Sequence, residues 1–91
     1  MGSPVGIRLD LSHIIARFPN DAALIRRLVL KSEMFRGICE EYKLARESLS
    51  WFEGRPDAPN RPEIADFRSI ISGLEWEIEQ LLAKSRPHIL G

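Results

Sequence analysis

The sequence predicts an all-α protein: a short N-terminal helix followed by a long antiparallel helical hairpin with coiled-coil-like packing. Leu24, Leu28, Phe35, Ile38, Tyr42, Ala45, Leu49 and Phe52 recur at steps of three and four, broken once at Lys31, and Ile64, Phe67, Ile71, Leu74, Ile78 and Leu81 do the same. Apolar groups at that spacing share one stripe of a helix, and such a stripe must be buried. Between the two runs stands a stretch with three prolines, Pro56, Pro59 and Pro62, which excludes helix and lets the two stripes face each other.

The elements follow in order. Residues 1–9 carry no helical pattern and read as loose. Asp10 is placed as an N-cap, its carboxylate accepting a free amide at a helix start, with Leu9 and Ile14 as a hydrophobic staple around it. Leu11, Ile14, Ile15 and Phe18 keep one face over residues 10–18, a helix too short to stand without docking on the rest. Phe18-Pro19-Asn20-Asp21 interrupts it, and Asn20 or Asp21 can cap a restart. One long helix then runs over 21–53. Ser32, just after the lone charge Lys31 in the seam, is the point where a serine cap would break or bend it.

Gly54 ends the long helix and the proline-rich turn occupies 54–61. Asn60 with Glu63 fits a capping box, or Pro62 is itself the first residue of a second hairpin helix over 62–86. Pro87 stops that helix, leaving the apolar tail His88-Ile89-Leu90. Matching the flanks of the turn sets Phe67 near Leu49, Ile71 near Ala45, Leu74 near Tyr42, Ile78 near Ile38 and Leu81 near Phe35.

A second stripe lies opposite the seam. Leu30, Gly37, Leu44 and Trp51 fall seven apart on the long helix, and Trp76 lies among Ala65, Ser69, Ser72 and Ala83 on the other. Two short segments cannot cover both backs, and aromatic groups on small-residue surfaces suit helix–helix contacts. Leu30, Leu44, Trp51, Ser69, Ser72 and Trp76 are therefore the candidate protein interface, for a second copy (a dimer or tetramer) or a helical partner.

Chemistry is sparse. His13 and His88 lack neighbouring ligands, Cys39 stands alone as a packed thiol, and no nucleophile elbow or glycine-rich loop occurs. No metal, cofactor or small-molecule substrate is expected, and no catalysis. Glu40, Glu41, Glu75, Glu77 and Glu79 form an acidic patch that reads as a solvated face. Lys plus Arg equal Asp plus Glu at 13 each, so general nucleic-acid binding is disfavoured. Arg17, Arg26, Arg27, Lys31, Lys84 and Arg86 nevertheless cluster at the end away from the turn, which keeps a regulator docking there on nucleic acid or a nucleoprotein as the alternative. At 91 residues the chain is one domain. With one cysteine, no apolar span and no secretory start, it is expected in the cytoplasm and away from membranes.

Phe18-Pro19, then Ile25, Leu28, Phe35 and Glu41-Tyr42, followed by a proline-containing turn and Glu77-Ile78, make residues 17–83 resemble the YdcH-like family of short bacterial helical proteins. Where that family often carries Leu-Asp-x-Glu-Ile, this chain has Ala45-Arg46-Glu47-Ser48-Leu49. The resemblance implies a helical hairpin in the cytoplasm. It implies no catalytic or binding residue, since the family has no settled biochemical function.

Overall fold

The computed structural model describes residues 9–87, which form helices and turns and contain no strand. The expected loose start, Leu9 apart, and the His88-Ile89-Leu90 tail lie outside the described residues. Helix α1 spans Ser12–Arg17, α2 Ala22–Lys31, α3 Glu33–Glu53 and α4 Pro62–Ser85. The N-cap residue of α1 is Leu11, not Asp10, and no side chain caps the helix; the Asp10 carboxylate lies one residue before it and accepts from the Ser12 amide at 2.9 Å. Pro19–Asp21 form a 3-10 turn, and Ala58–Asn60 form another within the proline-rich segment.

The single helix expected over 21–53 is two helices. Ser32 leaves helical geometry at φ −127°, ψ 115°, and its hydroxyl accepts from the Phe35 amide at 3.1 Å, capping α3. Ending α2 there strands its last carbonyls. Arg36 reaches back and donates to the Val29 carbonyl at 2.6 Å, so the same break is capped from both sides.

That break resets the phase of the core stripe. In α2 the buried residues are Ile25 and Val29, while Leu24 and Leu28, expected in the seam, are only partly buried. Past the break the middle of the expected stripe holds, with Phe35, Ile38, Tyr42, Ala45 and Leu49 buried from α3 and Ile71, Leu74 and Ile78 from α4, while Phe52, Ile64 and Phe67 beside the turn are only partly buried. Leu82, not Leu81, completes α4's buried face. Asn60 and Glu63 do not form a capping box; Arg61 is the N-cap residue and Pro62 the first residue of α4. Proline suits that place because its missing N–H would have had no helical acceptor. Gly54 closes α3 with right-handed backbone, φ −81°, ψ −4°, so no left-handed cap is used.

Side chains of α3 and α4 meet at several levels. Phe52 stacks on Phe67 at 5.7 Å between ring centroids, Glu53 accepts from Arg68 at 2.9 Å, and further from the turn Tyr42 donates to Glu75 at 2.7 Å. The turn is held by Asp57, whose carboxylate meets Arg55 at 3.2 Å and Arg61 at 3.1 Å. Helices α1 and α2 pack on α3, and α2 also touches α4. Ile14 and Phe18 enter the same core from that side.

Candidate functional site

On α4, residues Ile71, Leu74, Ile78 and Leu82 mark the buried stripe. At about 100° per residue, Glu75 and Glu79 flank it on one side and Ile70, Gly73 and Glu77 on the other. The two flanks have different fates.

The Glu75–Glu79 flank is covered. Tyr42, almost fully buried, donates its hydroxyl to Glu75, and Arg17 of α1 meets the other Glu75 oxygen at 3.4 Å. Burial and then the hydrogen bond to Glu75 push the Tyr42 hydroxyl up to about 12. Nearby, Arg86 donates to both carboxylate oxygens of Asp21, at 3.1 and 2.8 Å, and to Glu79 at 3.0 Å. One guanidinium thus ties the start of α2 to the last turns of α4. The hydrogen bond from Arg86 holds the Asp21 carboxyl below its usual range. These groups rim a cleft of about 530 Å³ that also includes Phe18, Ser72 and Trp76.

The other flank is bare. Glu41, Leu44 and Ala45 of α3 line a groove with Phe67, Ile70 and Leu74 of α4, with space of about 350 Å³. Leu44 is 65% exposed and Ile70 50%. A Cβ built on Gly37 or on Gly73 would meet nothing within 4 Å. Glu41 and Glu77 stand exposed beside this groove and take part in no ion pair among the described residues.

The candidate interface residues do not gather on one surface. Leu44 lines the bare groove, and Trp51 lies seven residues further along α3. The Trp51 ring packs edge-on against Phe52 at 5.0 Å and carries the Arg55 guanidinium at 4.8 Å. Ser72 and Trp76 instead rim the cleft beside Glu75 and Arg86, where both stay exposed, Trp76 at 67%, and Ser69 is exposed on α4. Leu30 is 80% exposed, but the break at Ser32 detaches it from the α3 stripe. The basic cluster divides similarly. Arg17 and Arg86 are taken up by Glu75, Asp21 and Glu79, leaving Arg26, Arg27, Lys31 and Lys84 exposed and outside the ion pairs of the described residues. Asp21, expected as a cap, makes no side-chain cap and serves Arg86 instead.

Comparison of the chain with protein-family models, with curated proteins and with solved structures finds no match. The site therefore stands on its own chemistry. Cys39 is buried, and burial pushes its thiol up to about 12, so the reactive thiolate is suppressed at neutral pH. Among the described residues no three His, Cys, Asp or Glu side chains converge as a metal site would need, and no helix is long and apolar enough to cross a membrane. What remains is an uncovered apolar groove rimmed by carboxylates. Sequence reasoning missed Ile70 in it. The available signal was a second spacing of four and three along α4, from Asp66 through Ile70, Gly73, Glu77 and Gln80 to Lys84.

Proposed function

We propose that this chain is a helical protein–protein interaction module without catalysis, acting in the cytoplasm, that docks an apolar helix surface on the bare α3–α4 flank. In this reading α3 and α4 form an antiparallel hairpin with coiled-coil-like packing, and the YdcH-like resemblance of residues 17–83 belongs to the same proposal. The observation that carries it is the Leu44–Ile70 groove, where two large aliphatic side chains stay in water beside an otherwise well-packed seam. Apolar groups grouped in a groove, not scattered, are the usual mark of a contact surface. The test is a Leu44→Glu, Ile70→Glu double variant, which leaves the buried seam residues untouched. A partner, including a second copy, held by the parent and lost by the folded variant supports the proposal. Equal retention by both removes it.

The nucleic-acid alternative keeps one favouring observation: Arg26, Arg27 and Lys31 of α2 lie exposed with no carboxylate partner among the described residues. Titration with random duplex DNA and RNA separates the readings, since only phosphate contacts give steeply salt-dependent binding.

A further inference from the structure

We infer that the bare α3–α4 flank seats the same flank of a second copy. Each helix meets its counterpart antiparallel, about a two-fold axis at the level of the Tyr42–Glu75 hydrogen bond. The inference rests on the docking reading above and names its occupant.

Asp66 and Lys84 are both exposed and outside the ion pairs of the described residues. They stand eighteen residues apart on α4, which is about five full turns at 3.6 residues per turn. They therefore share one azimuth, at opposite ends of the helix and with opposite sign. Two α4 stripes packed parallel in register would set Asp66 on Asp66 and Lys84 on Lys84. Packed antiparallel, each Asp66 meets the other copy's Lys84. The axis of that arrangement passes at the level of residue 75, and it places Glu77 against Gly73, where open space surrounds the backbone. Ile70 then lies along the aliphatic part of Gln80.

Helix α3 carries a matching stripe of its own. Met34, Gly37, Glu41, Leu44, Ser48 and Trp51 step by three and four along its outer side. Antiparallel pairing about a point between Tyr42 and Lys43 sets Met34 against Trp51, Gly37 against Ser48 and Glu41 against Leu44. Met34 and Trp51 are 61% and 59% exposed, so both have surface to bury, and a thioether sulfur sits favourably at an indole edge. The two axis levels, one from each helix, coincide in space because Tyr42 bonds to Glu75. One two-fold axis therefore serves both stripes.

Size and backbone agree. The flank is about 30 Å long at 1.5 Å per residue and two helices wide, which approaches the roughly 800 Å² per partner typical of a stable complex. Glycine is a poor residue in mid-helix, and neither Gly37 nor Gly73 is required by a neighbour within the chain. Close approach of a second helix gives both a use.

Sedimentation of the full chain at low salt tests this with four variants. Asp66→Lys and Lys84→Asp each turn two attractive contacts into two repulsive ones, and each is expected to raise the dimer dissociation constant about tenfold or more. The double swap is expected to restore parental dimerisation, and an equimolar mixture of the two single variants to form a heterodimer. Gly73→Leu is expected to keep parental helicity by circular dichroism yet sediment as a monomer. A parent that stays monomeric at about millimolar concentration overturns the inference, as do single swaps without effect or a double swap without rescue. If the parent is monomeric while Leu44→Glu, Ile70→Glu still abolishes binding of another protein, the second copy falls and the docking reading stands. If that variant changes nothing, both fall.

Discussion

The two flanks of α4 are built from the same helix and meet opposite treatment. On the covered flank every charged group lining the cleft has an internal partner: Tyr42 and Arg17 share Glu75, and Arg86 bridges Asp21 and Glu79. On the bare flank Glu41, Asp66, Glu77 and Lys84 have no ion-pair partner among the described residues, and Leu44 and Ile70 stay half or more exposed. Internal pairing satisfies the charges of the first flank within the chain, although Trp76 at its cleft is 67% exposed. The absence of such pairing beside exposed apolar groups marks a surface left for another molecule, apolar at Leu44 and Ile70 and oppositely charged at Asp66 and Lys84.

The largest expected effect separates the core from the bare flank. Phe35 and Ile78 are essentially fully buried, so Phe35→Ala and Ile78→Ala should each lose about 2–5 kcal/mol through transfer and cavity terms. Ile70→Ala, at a half-exposed site, should change a dilute monomer by less than about 0.5 kcal/mol. Urea melts at low concentration check this. Equal losses at all three positions would mean that Ile70 belongs to the core and the flank is not bare.

Tyr42→Phe sharpens the covered side. It removes the hydrogen bond to Glu75 and leaves that half-buried carboxylate to Arg17 alone, which should reduce stability by about 1–2 kcal/mol. The parent's hydroxyl is raised in the folded state, so its contribution is fully present below the unfolded value near pH 10. It is lost as pH rises through about 12. The Phe variant should lack that alkaline step in its melting profile.

Arg86→Gln tests the clamp between α2 and α4. Asp21 is depressed in the folded parent by the Arg86 hydrogen bond, so its contribution is present above the unfolded value of about 3.9 and lost as pH falls through the lower folded value. The variant should show a shallower acid limb and faster amide exchange in α1 and α2. Unchanged exchange there would mean the ion pairs hold nothing that packing does not already hold.

What the sequence made legible was local. The stripe from Phe35 to Leu49 and from Ile71 to Ile78 follows from spacing alone, and the structure keeps it. The inward face of α2 was not legible, because Leu24 and Leu28 face the seam only if the helix continues through Ser32. Ser32 was legible as the place for a break, and its hydroxyl does cap α3; the reach of Arg36 back to the Val29 carbonyl, which satisfies the other side, was not. The same break explains why a seven-residue series from Leu30 to Trp51 suggested one surface and yielded two. Arg86 bonds a residue 65 positions earlier, and no spacing rule links them. Tyr42 was readable as core but not as a hydrogen-bond donor, since its acceptor sits on another helix. Ile70 was hidden beside Ile71, whose burial drew the pattern onto the seam.

Glycine offers the finest test, because the two roles of the bare flank predict opposite signs. Gly37 and Gly73 lie inside α3 and α4 with nothing within 4 Å of an added Cβ. Replacing either by alanine in a dilute monomer should raise stability by about 0.5–1 kcal/mol, the ordinary gain of alanine over glycine in a helix interior. The added methyl lies where a second helix would approach, so the same change should weaken association. Melting at low concentration and sedimentation at high concentration, on the same two variants, read the two effects separately. Stabilisation with unchanged association would leave the glycines without a contact role. Destabilisation in the dilute monomer would mean that the backbone at these positions is not the open helix surface seen here.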